Sequence, residues 1–396
     1  MIMKRNYGTV VLGVRAPIIS EGDNLVKIVV DSTIETAKQA GLRLSDADII
    51  GVTESVLAMS QGNFVSIYDV GIDIKNKFGG HELAVVHPIL SRNRFSNILK
   101  GISKGAEKVY VLLDHIDEQG NALSQNINRY KPDTNIYTAK EYIKEYGEPV
   151  HSITGENYIK MYQNLNDNIE VLIGSDPASI LKFSRNVIVS TVHSRGQMKD
   201  YLIEKGAKKV ITLADIMTKP IEGSGYNTQF GVLGFNYAGD EKLKLFPRDC
   251  NEFVKQVQSE FKRYAKVSPE VMIFGDGAYK DPSTGIWELA DPVVSPGYTG
   301  GLGQVASGDT KFKAVALTEL AGLSSAEREK RLDEIILKNK NSLNEAQLGT
   351  TPRKDVDLLG SLMDLASGSG NKGTPFVLVH GYRDTRADDG INLGNY

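Results

Sequence analysis

A series of short apolar runs, separated by polar stretches with helical period, constrains this chain more than any other feature. The runs lie at 83–86 (Leu-Ala-Val-Val), 109–113 (Val-Tyr-Val-Leu-Leu), 170–173 (Glu-Val-Leu-Ile), 187–192 and 210–213. Helical patterns at about 94–104, 139–146 and 195–206 fall between them. Strands that alternate with helices read as a parallel sheet covered on both faces, since each crossover carries the chain back over the sheet. The region from about 67 to 227 is therefore α/β. Its segment 115–136 is rich in Asn, Asp and Gln and reads as a long loop. His87, Arg92 and Arg94 follow one of the strand candidates and could hold an anion. A solvated loop is the competing reading, because arginine is usually exposed.

The flanks carry further elements. Residues 7–19 read as a strand ending near Pro17, and Asp23 as the cap of a helix over about 24–40 that Gly41 ends. Ile49-Ile50-Gly51-Val52-Thr53 is a buried strand running into Glu54 and Ser55, polar groups at a strand terminus. Thr228 to Phe235 reads as another strand, followed by a helix carrying Phe253, Val257 and Phe261. Val271 to Phe274 is stopped by Gly275-Asp276-Gly277, with Asp281, Glu288 and Asp291 close behind. Oxygen ligands at a strand end suit a hard cation such as magnesium, while a turn capped by Asp276 is the bland alternative. Gly297 to Gly303 reads as a flexible polar turn, and Lys311 to Leu317 as a strand. Helices follow over Ser324 to Lys338, where Ser324 and Glu327 fit a capping box, and over Asp355 to Ala366. Phe376 to Val379 reads as a closing strand, before a polar tail from Arg383 to Tyr396.

Composition excludes several classes. At 396 residues the chain can hold two or three domains. A net charge of −3 with dispersed basic residues gives no nucleic-acid footprint. Cys250 is the only cysteine, so an internal disulfide or a cysteine-built zinc site is excluded, and no HExxH pattern occurs among the six histidines. Neither a signal peptide nor an apolar run of membrane-spanning length is visible, which leads to the expectation of a cytoplasmic protein without a membrane partner.

Gly368-Ser369-Gly370-Asn371-Lys372-Gly373 spells GxGxxG. A dinucleotide fingerprint needs a strand before it and a helix after it; here the order is reversed. No Gly-Lys-Ser/Thr ends the loop, so it is not a Walker loop either. Two readings remain: an anion nest of backbone N–H groups helped by Lys372, and a structural helix C-cap.

Three stretches together resemble the coenzyme F420-0:γ-glutamyl ligase family. Arg15-Ala16-Pro17-Ile18-Ile19-Ser20-Glu21-Gly22-Asp23 is similar to its Pro-Leu/Ile-Ile-x-Glu-Gly-Asp entry motif. Asp46-Ala47-Asp48-Ile49-Ile50-Gly51-Val52-Thr53-Glu54-Ser55-Val56 is similar to its Asp-Gly-Asp-Val strand. Asp357 to Gly360, with Gly368 through Thr374 and Pro375, is similar to its C-terminal helix and nucleotide loop. Weaker matches are Asn236-Tyr237-Ala238-Gly239-Asp240 and Ile273-Phe274-Gly275-Asp276.

The resemblance implies an α/β fold of mixed α+β type. A ligase-like core would form from residues 1–66 and 228–382, with an α/β insertion over 67–227 and a tail at 383–396. It implies an amide ligase that joins L-glutamate to a small carboxylic acid through an acyl phosphate. GTP or ATP would be the co-substrate, with Mg2+ or Mn2+, and K+ as a further cation. Pro17, Ile18, Ile19, Glu54, Ser55, Gly368, Ser369, Gly370, Asn371, Lys372, Gly373 and Thr374 would bind nucleotide. Asp240 and Asp276 would hold metal, and the chain would form a homodimer. Three departures bear on activity: Met59 stands where the family has lysine, Ser369 where it has glutamate, and Gly277 where it has threonine. A non-catalytic nucleotide- or metabolite-binding protein on the same scaffold is the alternative.

Overall fold

The computed structural model describes residues 8–91, 95–118, 120–124, 126–127, 135–151, 155–239, 241–275, 279–280, 287–288, 295–303, 312–340, 355–368 and 372–383. The fold is α/β, and two sheets dominate it.

The first sheet has four strands in the order Val10–Val14, Phe376–His380, Ile49–Thr53, Glu270–Phe274. The first two pairings are antiparallel, and Glu270–Phe274 runs parallel to Ile49–Thr53. Alternation divides its side chains between two cores. Ile50, Val52, Val271, Ile273, Phe376 and Leu378 pack against helices Leu25–Gln39 and Cys250–Ala265. Ile49, Met272, Phe274, Val377 and Val379 pack against helix Asp355–Ser367 through Leu359 and Met363. Gly51 permits that second contact, since a Cβ there would lie 2.3 Å from Met363 Sδ.

The second sheet has six strands in the order Tyr137–Thr138, Ile169–Ile173, Val109–Leu113, Leu83–Val86, Asn186–Val189, Lys209–Thr212. All pairings are parallel except that of Tyr137–Thr138. Leu83, Val85, Val109 and Val111 face a core shared with helices Ile67–Phe78 and Phe95–Lys104. Ala84, Val86, Val187 and Val189 face Leu202 of helix Arg195–Glu204 on the other side. Helices Ile67–Phe78 and Phe95–Lys104 approach closely because Gly71, Gly101 and Gly105 lie between them; a Cβ on Gly105 would sit 2.3 Å from Gly71 O.

A three-stranded ribbon, Asn236–Tyr237, Lys242–Lys244 and Phe64–Ser66, packs Val65 and Leu243 into the core of the six-stranded sheet. Tyr279–Lys280 and Trp287–Glu288 form a separate pair. Among the described residues no helix is long and apolar enough to cross a membrane.

Several local expectations change. Helix Leu25–Gln39 is capped by Asn24, whose side chain accepts from Lys27 N–H at 3.1 Å. Asp23 is engaged instead with Ser20 N–H at 2.7 Å, which closes the turn before it. The expected strand at 228–235 is a run of turns up to Gly234, because Gly231 has φ +51° and a Cβ on Gly234 would enter the Phe246 ring. The expected strand at 311–317 is helix Phe312–Thr318, in keeping with its Ala, Leu and Lys content. Gly297 to Thr299 is no loose turn: Ile273 N–H donates to Gly297 O at 2.8 Å and Thr299 N–H to Val271 O at 2.9 Å. Thr299 is buried, and its hydroxyl bonds the Glu270 carboxylate.

Candidate functional site

The parallel strands Ile49–Thr53 and Glu270–Phe274 end side by side, with Thr53 opposite Phe274. Beyond them the chain turns into Glu54 on one strand and Gly275 on the other. Glu54 opens the short helix Glu54–Ser60, where a carboxylate suits the positive end of the helix dipole. It is 2% exposed, and its Oε1 pairs with Lys244 Nζ at 2.8 Å. Lys244 is itself 5% exposed and comes from the ribbon strand Lys242–Lys244. Gly275 makes the close approach possible, because a Cβ there would lie 2.2 Å from Glu54 Cγ.

The other expected nucleotide segments reach the same edge. Thr53 N–H donates to Pro375 O at 2.9 Å, and Ala16 N–H to Gly373 O at 3.3 Å. These bonds bring Pro17, Ser55 and Gly373–Thr374 around the end of the sheet. Ile18 is 93% exposed, while Ile19 is buried among Leu25 and Leu57. Gly22 N–H bonds Ser60 O at 2.9 Å, which holds the entry turn against the helix after Glu54. Gly368, with φ +69°, stops helix Asp355–Ser367, and the Lys372 stem lies over it. Thr374 Oγ1 donates to Ser367 O at 2.9 Å. The described part of the glycine loop thus includes a structural helix stop. Ser369, Gly370, Asn371, Asp240 and Asp276 lie outside the described residues, as do Arg92, Arg94, Gly277, Asp281 and Asp291.

Supporting groups hold the ribbon to this edge. Asn63 Nδ2 donates to Phe246 O at 2.6 Å, and its Oδ1 accepts from Tyr226 N–H and from Arg248 at 2.9 and 2.6 Å. Gln61 and the Arg248 backbone exchange two bonds of 2.8 Å each. Cys250 is buried beside them, and burial first, then the charge of Glu54, pushes its thiol up to about 12. Met59, where the family pattern has lysine, packs against the apolar core.

Sequence reasoning missed Lys244. The signal available was an alternating Lys242-Leu243-Lys244-Leu245-Phe246, in which one lysine is hemmed in by three apolar residues. It also set His87 in a solvated loop. His87 is buried, and its Nε2 donates to Gly174 O at 3.0 Å.

Among the described residues no group of three or more His, Cys, Asp and Glu side chains could hold a metal ion. The metal pair that the resemblance implies, Asp240 and Asp276, lies outside the described residues. Such an all-carboxylate donor set fits a hard ion such as Mg2+ or Mn2+ and does not fit zinc.

No curated protein matches the chain. A model of the family described as F420-0:gamma-glutamyl ligase matches residues 13–381, nearly the whole length, and so carries a γ-glutamyl ligase-type function in its broad sense. With the two chain ends meeting in one sheet and the matched segments gathered at its edge, this chain belongs to the F420-0:gamma-glutamyl ligase family.

Proposed function

We propose that the protein is a nucleotide- and metal-dependent ligase that adds L-glutamate, or a similar amino acid, to a small carboxylic acid. The observation that carries this reading is the convergence of the 16–19, 53–55 and 373–375 segments with Gly275 at one sheet edge, around a buried Glu54–Lys244 pair. In the reaction, an acceptor carboxylate oxygen takes the terminal phosphoryl group of GTP or ATP and the nucleoside diphosphate leaves. The glutamate amine then displaces inorganic phosphate, losing a proton as the amide forms. Mg2+ or Mn2+ held by Asp240 and Asp276 would offset charge on the transferring phosphoryl group. Glu54 and Lys244 hold fixed positions that need no reorganisation when charge develops nearby. In this reading Lys372 and the glycine loop would receive the phosphates, as a backbone nest does.

One observation favours the second reading, a binder without turnover. Met59, partly buried against the apolar core, stands where the family pattern has lysine and offers a phosphate no charge.

Titrating GTP and ATP into the protein with and without Mn2+, then assaying phosphate release with glutamate and a panel of carboxylic acids, separates the two. The ligase releases phosphate only when both co-substrates are present. Nucleotide binding without any release would leave the binder. Asp276→Asn is expected to abolish metal-dependent nucleotide binding with folding intact, and unchanged affinity would remove the metal assignment. A homodimer is expected by sedimentation.

A further inference from the structure

A cavity of about 520 Å³ lies beside Tyr137–Thr138, the outermost strand of the six-stranded sheet. Its size falls within the roughly 300–1,000 Å³ that small-molecule sites span. Three local features build it. Gly174 lets the chain entering the outer strand run close to the end of Ile169–Ile173, since a Cβ there would lie 3.0 Å from Asn135 O. Helix Ala139–Tyr146 follows with Tyr142 buried in the core, which leaves Glu141, Lys144 and Glu145 to line the cavity. The short helix Pro177–Lys182, anchored by the buried Ile180, contributes Ser179 and Lys182.

The charges in this lining differ in what they already do. Glu141 is engaged: its carboxylate accepts from Thr138 N–H at 2.8 Å and from the Thr138 hydroxyl at 2.7 Å. These bonds hold its carboxyl below the usual carboxylate range. Ser179 Oγ donates to Asp176 O at 2.7 Å, which leaves its lone pairs to accept. Among the described residues, no ion pair or hydrogen bond involves the side chains of Lys144, Glu145 or Lys182. All three are exposed, as solvated charges usually are. What sets them apart is that two different elements bring them to one cavity. The free charges there are two ammonium groups and one carboxylate.

We propose that this cavity binds a small molecule carrying two anionic groups and one ammonium, of which an acidic amino acid is the simplest, with Lys144 and Lys182 meeting the anionic groups and Glu145 the ammonium. Each charge of such a ligand finds an opposite one, and contacts of this kind are the stronger hydrogen bonds. A simple dianion would leave Glu145 facing like charge, and a monoanion would leave one lysine unused. The inference stands apart from the ligase reading, since none of these residues belongs to 16–19, 53–55 or 373–375.

The test is calorimetric titration of the full-length protein, free of nucleotide and divalent metal, with L-glutamate, L-aspartate, glutarate and L-glutamine; hydrogen–deuterium exchange locates the binding. L-Glutamate or L-aspartate should bind and protect peptides covering 135–147 and 177–183. Glutarate lacks the ammonium and L-glutamine lacks one carboxylate, so each should bind about tenfold more weakly. Lys144→Ala and Lys182→Ala each delete one charged contact and should weaken the acidic amino acid about tenfold. Both side chains are exposed, so neither change disturbs packing. Glu145→Ala should erase the preference over glutarate. Equal affinity for all four compounds, affinity unmoved by the three variants, or no protection of either segment would overturn the proposal. Protection confined to 16–19 and 53–55 would also overturn it while supporting the ligase reading, so the two fail separately.

Discussion

The two sheets differ in how they are assembled and in what they keep at their carboxyl edges. The six-stranded sheet is drawn from one stretch of chain between Leu83 and Thr212, although Leu83–Val86, where the strand order reverses, still pairs with Asn186–Val189. The four-stranded sheet joins Val10–Val14 to Phe376–His380 and Ile49–Thr53 to Glu270–Phe274, which requires distant parts of the chain to meet. At its edge the six-stranded sheet carries the Ser190 and Thr191 hydroxyls, the His87 imidazole and the exposed Glu118 carboxylate on backbone N–H groups. The four-stranded sheet carries a buried ion pair, Glu54 with Lys244. A buried pair adds little net stability over an apolar pair, because desolvation offsets the attraction. Its place at the meeting point of the matched segments fits a working site better than a scaffold. The sheet that joins the most distant segments is thus the one beside which the buried ion pair lies, while the other is built within a single stretch of the chain.

The strongest way to break this contrast is Lys244→Met. Removing the ammonium leaves the Glu54 carboxylate buried without it, at a cost of about 3–5 kcal/mol. Denaturant unfolding measures the loss, and Glu54→Gln with Lys244→Met should recover most of it. A loss below about 1 kcal/mol in the single variant would mean that the pair is solvated rather than buried. Next in size are two glycine substitutions, one for each sheet. Gly105→Ala drives a Cβ into Gly71 O between the two helices on the six-stranded sheet, and Gly275→Ala drives one into Glu54. Overpacking of this kind costs about 1–3 kcal/mol. Both variants should lose stability, but only Gly275→Ala should also lower nucleotide affinity. Equal effects on affinity would dissolve the division between packing and chemistry.

A subtler probe uses Cys250. Burial raises its thiol to about 12, so little thiolate forms at neutral pH. Native protein should react with a thiol reagent only as fast as the four-stranded region opens, and Gly275→Ala should speed labelling more than Gly105→Ala does. Rapid labelling of the unsubstituted protein, at the rate of a free thiol, would contradict the packing described for this sheet.

What the sequence disclosed follows the same division. Phe95–Lys104, Ala139–Tyr146 and Arg195–Glu204 match the expected helices closely; an apolar period marks the first two, and a Thr138–Glu141 capping box starts the second. The mismatches at 228–235 and 311–317 arose where short apolar runs carry no period that separates strand, helix and turn. Glu54 was legible as a polar residue at a strand end, but Lys244 was not, since its meaning depends on a partner far along the chain. Grouping Pro17, Glu54 and Gly373 rested on the family resemblance, as no spacing rule links residues across such distances. The reversal beside Leu83–Val86 was also invisible, because alternation predicts a parallel sheet without giving the order of its strands.

The smallest expected effect lies at the amino end of the four-stranded sheet. Asp48 is buried, and its Oδ1 lies 2.7 Å from His380 Nδ1 while its Oδ2 accepts from Ser45 N–H at 2.8 Å. Burial raises its pKa above the ordinary carboxylate range, against the lowering effects of Ser45 and His380. The native state then holds the Asp48 proton more tightly than the unfolded chain. Its contribution to stability is therefore full below the unfolded pKa and is lost as pH rises through the folded one. Asp48→Asn keeps an acceptor for Ser45 but cannot ionise, so its unfolding free energy should decline less over that window. Denaturant midpoints measured across the acidic range give the slope, and parallel slopes for the two proteins would mean that Asp48 does not titrate in this way. Segment-resolved hydrogen exchange sharpens the result. If the sheets open independently, the flattening will appear in peptides from Ile49–Thr53 and Phe376–His380 and not in those from Leu83–Val86; if they open together, it will appear in all three.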